Sequence, residues 1–206
     1  MFSAEAFSSL PQQDLHCPRA AKAARYGREF KRLRKNLISL IKAQSKFIYL
    51  GMNWTVADLA MQHGFSDVDL ANARIGTIHG EVTVIAVPSR HWHQSGSMDM
   101  LMTLKRAASD AGHRCVVLPE TAIHKQPRLD NSLMLAQSGT VDVSATSRMN
   151  LIAYLIENGS CSLIECASVV EGSDPVASVL RLASMGVVQV DLEQTIGPHT
   201  LVHLPA

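Results

Sequence analysis

The chain has 206 residues, 47% hydrophobic and 18% charged, with a formal net charge of only +1. That balance is typical of a folded globular protein and excludes an intrinsically disordered one. No apolar run reaches the roughly 18 residues needed to cross a bilayer, and the N-terminus lacks the basic-then-apolar order of a secretion signal, so the expectation is a cytoplasmic protein with no membrane partner.

The charge is unevenly placed. Between positions 19 and 46 stand ten Lys/Arg against one acid, Glu29, a net of +9. The remainder carries nine basic and seventeen acidic residues, a net of −8. Such asymmetry points to an anionic partner for the basic stretch.

Residues 1–17 have no periodicity and read as a mobile N-terminal arm. Pro18 is suited to the first position of a helix. From there Tyr26, Phe30, Leu33, Leu37 and Ile41 recur at helical spacing and form one apolar stripe. Arg25, Arg28, Lys31, Arg32, Arg34 and Lys35 fill the other face. They are either a solvated surface or a set of phosphate contacts to DNA.

Residues 55–67 read as the front of a helix-turn-helix. Thr55 and Asp58 fit a capping box, and Ala60, Gly64 and Leu70 fit the motif's small, turn and apolar positions. Over about twenty residues the stretch 55–74 looks like the DNA-reading motif of AraC-type regulators. A transcriptional regulator reading DNA through 55–74 is therefore one alternative function.

Residues 75–80 suggest a hairpin that feeds the run Glu81-Val82-Thr83-Val84-Ile85-Ala86-Val87-Pro88. This β-branched run, closed by Pro88, has the character of a buried strand. A helical stretch ending before Gly112 and a second apolar run, 114–118, follow. Strand, helix, strand predicts a crossover with two parallel strands. Chemistry in such sheets sits at the C-terminal strand ends, which directs the search to residues 86–93. His91 and His93 stand there and, on an extended segment, would point the same way as a weak metal-binding pair. Short helices are expected at 119–123 and after Pro127. The four cysteines, at 17, 115, 161 and 166, form no CxxC pair and read as free thiols rather than a zinc site.

Residues 139–144 form a polar linker. Beyond it, three helices are expected. The second is capped by Ser162 with Glu165 three residues on, and the third by Asp174 with Pro175 as its first residue. Two strands close the pattern, at 187–192 and 200–204. Three helices and a hairpin predict a winged-helix domain over 147–206. From 147 to 206 there are two basic residues and six acids, a net of −4, so this unit suits a protein partner better than phosphate.

The stretch from Val82 to the C-terminus resembles the TnsA-like transposon endonucleases, a branch of the PD-(D/E)xK nuclease superfamily with a C-terminal winged helix. The matching elements are the central strand, the helix before Gly112, the strand 114–118, the segments Glu120-Thr121-Ala122-Ile123 and Pro127-Arg128-Leu129-Asp130-Asn131, and the winged-helix pattern. The resemblance implies an α/β fold, a small mixed sheet flanked by helices (restriction-endonuclease-like) over 18–139, and metal-dependent DNA cleavage. The family requires an Asp and then Glu and Lys two apart on the central strand, with Mg²⁺ held by the acids. This chain has Ala86 and Pro88 at the Glu and Lys positions. The expectation is a nucleic-acid-associated protein with no catalytic residues and no cofactor. An active endonuclease is a further alternative; it would use Asp67 or Asp69 with Glu81 and Mg²⁺, but it would lack the Lys.

Overall fold

A computed structural model describes residues 18–205. The predicted arm, 1–17, lies outside the described residues.

The 25-residue helix α1 (Pro18–Lys42) opens the fold. Its stripe is buried as the spacing requires: Leu33, Leu37, Leu40 and Ile41 are all at most 6% exposed. They pack on one face of a four-stranded mixed sheet made of β1 (Ile48–Gly51), β2 (Ala71–Thr77), β3 (Gly80–Val87) and β4 (Cys115–Pro119), in that spatial order. β1, β2 and β3 run antiparallel in succession, and β4 lies parallel to β3. The two-residue side-chain period of a strand divides the layers. Val84 and Ala86 of β3 face α1, whereas Ile85 and Val87 join the core on the opposite face. Ala71, Ala73 and Ala86 are completely buried, and their small side chains let α1 lie close to the sheet. Burial of each of the four large α1 side chains is worth about 1.5–3 kcal/mol.

The opposite face is covered by α2 (Trp54–Gln62) and α4 (Ser97–Asp110). Leu101, Leu104 and Ala108 of α4 recur at steps of three and four and are at most 1% exposed. α2 is anchored by Asn53. Its side chain caps the helix by accepting from the Val56 N–H, its Nδ2 donates to Thr83 Oγ1 at 2.8 Å, and its own N–H donates to Asn72 Oδ1 at 2.8 Å. The cap is therefore Asn53 rather than Thr55. The second helix expected of a helix-turn-helix is absent: after turns at 66–69 the chain enters β2, where Ala71 pairs with Ala86 and Ile75 with Val82. A short amphipathic helix followed by Gly64 satisfies the local motif, but the flanking strands claim residues 71–77 as a central strand.

Two short helices follow the parallel strands, α3 (Ser89–Trp92) after β3 and α5 (Glu120–Ile123) after β4. Then comes α6 (Arg128–Gln137). The last part comprises α7 (Ala145–Asn158), α8 (Leu163–Ser168) and α9 (Pro175–Ser184), with a three-stranded sheet β5 (Cys161–Ser162), β7 (Leu201–His203) and β6 (Gln189–Val190) in that order. The capping box at Ser162 and Glu165 forms, and Asp174 caps α9 with Pro175 at its first position. β5 has no counterpart in the expected pattern; two residues leave no periodic signal.

The C-terminal part shares its core with the rest of the chain. Leu135 of α6 and Ala43 after α1 belong to the same buried group as Leu151, Val179 and Val202. Asn131, 2% exposed, donates from Nδ2 to the carbonyls of Leu192 and Gln194 and accepts from the Ile196 N–H. Gly186, at φ +75°, lies where an added Cβ would stand 2.7 Å from Ser45 Cβ. Cys115, Cys161 and Cys166 are free thiols; burial pushes Cys166 up to about 11. No described helix is long and apolar enough to cross a membrane.

Candidate functional site

The C-terminal ends of β3 and β4 and the middle turns of α1 enclose a cleft of about 470 Å³, lined by Arg25, Tyr26, Glu29, Arg32, Pro88, Ser89, Arg90 and Glu120. The parallel pair delivers α3 and α5 to the same edge, and Glu29 of α1 meets them there.

At its centre lies Arg90. One terminal nitrogen, Nη1, is 3.0 Å from Glu29 Oε2; the other, Nη2, is 3.1 Å from Asp69 Oδ1 and donates to the Val68 carbonyl at 2.9 Å. The guanidinium also lies over the Tyr26 ring, 4.2 Å from its centroid. The planar fork thus fills the space between two carboxylates. Asp69 makes further contacts: His91 Nε2 is 2.8 Å from Oδ1, and the Ser66 N–H donates to Oδ2 at 2.8 Å. Burial alone pushes the Asp69 carboxyl up, but the Ser66, His91 and Arg90 contacts outweigh it and hold the group at about 2. The Arg25 guanidinium, 2.9 Å away, is the main cause of a lowered Glu29, and Arg90 adds to it.

A third carboxylate, Glu120, completes the rim. Its Oε2 accepts from the Ser89 N–H at 2.9 Å, while Oε1 lies 3.6 Å from Arg32 and 3.5 Å from His124. His124 in turn is 3.0 Å from the side-chain amide of buried Asn36.

The residues singled out from sequence fall in different places. Asp69 is at this site, and Asp67 is exposed in the preceding turn. Glu81 stands at the opposite end of β3, 3.6 Å from Arg74, so the structure does not bring it to Asp69. His91 and His93 are not on an extended segment. His91 lies within α3 and His93 is its C-cap, so helical geometry turns the two rings apart. Of the basic residues, Arg25 and Arg32 face Glu29 and Glu120. Lys31, Arg34 and Lys35 line a second cleft, described below. Arg28 is exposed with no ion-pair partner among the described residues.

Glu29, Arg90 and Glu120 were not among the site residues expected from sequence. Glu29 did carry a signal, as the single acid in a basic helix. Arg90 and Glu120 each follow a parallel strand by a few residues, the position where such sheets carry chemistry.

A divalent ion shared by Glu29 and Asp69 would need the space that the Arg90 guanidinium occupies. Among the described residues no group of three His, Cys, Asp or Glu side chains is arranged to hold a metal. The side chains at this site do not fit a metal of the kind the nuclease resemblance implies. No family model matches the chain, and no curated protein matches it.

Proposed function

We propose that the chain is a DNA-associated protein with a restriction-endonuclease-like core and a winged-helix C-terminal part, in which a catalytic centre has become a structural ion-pair cluster. The element order supports the first part: a helix, three antiparallel strands with α2 between the first two, a crossover helix and a fourth strand parallel to the third. Three helices with a small sheet support the second.

The observation that carries the reading is Arg90 bridging Glu29 and Asp69. Asp69 stands two residues before Ala71, which pairs with Ala86, so it lies near the end of β3 where the resembling family has its Glu and Lys. An arginine there supplies a fixed positive charge without Lewis acidity or an activated water. It neutralises the acids and ties α1 to the ends of β2 and β3.

DNA association rests on the exposed cations of α1. Arg28, Lys31 and Lys35 have no ion-pair partner among the described residues, and the acids of the C-terminal part do not reach them. The Glu193 carboxylate instead meets Lys125 and Arg128. Unpaired cations along one helix suit a phosphate backbone, and the winged-helix part, net −4, suits a protein partner. Salt-dependent binding of a labelled duplex tests this. The log–log slope should be about −0.9 per phosphate contacted, and reversing Arg28, Lys31 and Lys35 to Glu should flatten it.

A further inference from the structure

A second cleft, of about 870 Å³, separates α1 from the C-terminal part. One wall is α1, with Lys31, Arg34, Lys35 and Lys42; the other is α6 and α9, with Arg181. Among the described residues no acidic side chain lines it. Five cations around one concavity focus a positive potential there. Arg34 Nε is buried with no hydrogen-bond partner, and no carboxylate among the described residues lies within ion-pair distance of the Arg34 guanidinium. Arg181 is half-buried, and its guanidinium makes one hydrogen bond among the described residues, to the Ser184 hydroxyl at 3.5 Å. Lys42 has its ammonium 5.5 Å from the Tyr49 ring centroid. The floor is apolar, formed by Phe30, Ile38 and Leu135.

We infer that this cleft binds a segment of single-stranded nucleic acid, a reading that rests on the DNA association proposed above. From Lys31 to Lys42 the cations run about 16 Å along the helix axis, a row rather than a point, which matches a chain of phosphates better than one anion. The cleft has two walls. A duplex is a rod with its phosphates outside and its bases hidden, so it meets only the rim. An unpaired strand is narrow enough to enter, and it offers base faces to the apolar floor while its phosphates meet the cations. A positive groove with an aromatic residue is the general means of holding single strands without sequence preference. Because Arg181 comes from the opposite wall, the strand is gripped by both parts of the chain, and residues remote in sequence act on one ligand.

The test uses the full chain and fluorescence anisotropy at low salt. The probes are a labelled thymidine strand of about 15 nucleotides and a duplex of equal length; thymidine triphosphate and a polyglutamate peptide serve as competitors. The variants are Arg181→Gln and Lys42→Gln; the second changes an exposed side chain and guards against misfolding of the first. The inference expects each variant to weaken strand binding several-fold and duplex binding less. Each should also lower the strand's salt slope by about 0.7, the single-strand value per phosphate. Strand affinity unchanged in both variants, or equal losses on strand and duplex, overturns the inference. So does displacement by the triphosphate or the peptide at matched charge concentration. If the duplex still binds through Arg28 while the strand ignores Arg181, the cleft assignment fails and the DNA association stands. If neither polymer binds the parent, both fail.

Discussion

Arg90 and Glu29, 61 residues apart in sequence, meet with Nη1 3.0 Å from Oε2, and this pair locks α1 onto the end of the central strand. With Asp69 on its other nitrogen, Arg90 is the hub of a partly buried network. Removing one partner of such a network leaves charge uncompensated, which costs far more than an exposed pair is worth. Arg90→Ala should lower stability by about 2–4 kcal/mol at neutral pH, measured by urea denaturation. Arg90→Lys should recover less than half of that, because an ammonium cannot span both carboxylates. Wild-type stability in the lysine variant would show that the bridge is not structural.

Acid titration separates Asp69 from its neighbours. Its folded pKa, about 2, lies below its ordinary 3.8. A carboxyl depressed on folding adds stability above its unfolded value and loses it as the pH falls through the folded one. Its contribution should therefore be complete above about pH 4 and fade towards about pH 2. Asp69→Asn should be less stable than the parent at pH 7 by on the order of 1–2 kcal/mol, with the gap closing below pH 4. A gap that stays constant with pH would assign the loss to packing rather than to charge.

The contact between the two parts of the chain rests on Asn131. It satisfies two carbonyls and one N–H of the loop after β6 while itself 2% exposed. Asn131→Ala would leave those backbone groups unpaired, and a loss of about 2–3 kcal/mol is expected. Hydrogen exchange should show the increase concentrated at 192–196. Uniform loosening throughout the chain would instead mean that the two parts unfold as one.

Much of this architecture was legible because it rests on periodicity. The α1 stripe, the β3 run, the α4 face and the capping signals at Ser162 and Asp174 each encode their element locally. The helix-turn-helix reading of 55–74 failed because pairing across the sheet decides whether 71–77 is helix or strand. The cleft was located in sequence at the end of the central strand, and Asp69 was among its candidate acids, but Glu29 and Glu120 were not. Glu29 and Glu120 are separated from Arg90 by 61 and 30 residues, and only the fold brings them together. Arg181 is the same case: it reads as an isolated charge on α9, and only the fold sets it in one cleft with Lys31, Lys35 and Lys42.

The function proposed for the protein is to hold DNA without cutting it, with Arg90 filling the space between Glu29 and Asp69. The direct measurement is incubation of the protein with supercoiled plasmid in Mg²⁺ or Mn²⁺, with retention of the same plasmid followed in parallel at low salt. The account predicts retention with no conversion to nicked or linear forms. Metal-dependent nicking that disappears in Glu29→Gln or Asp69→Asn would contradict it and make the cluster an active site.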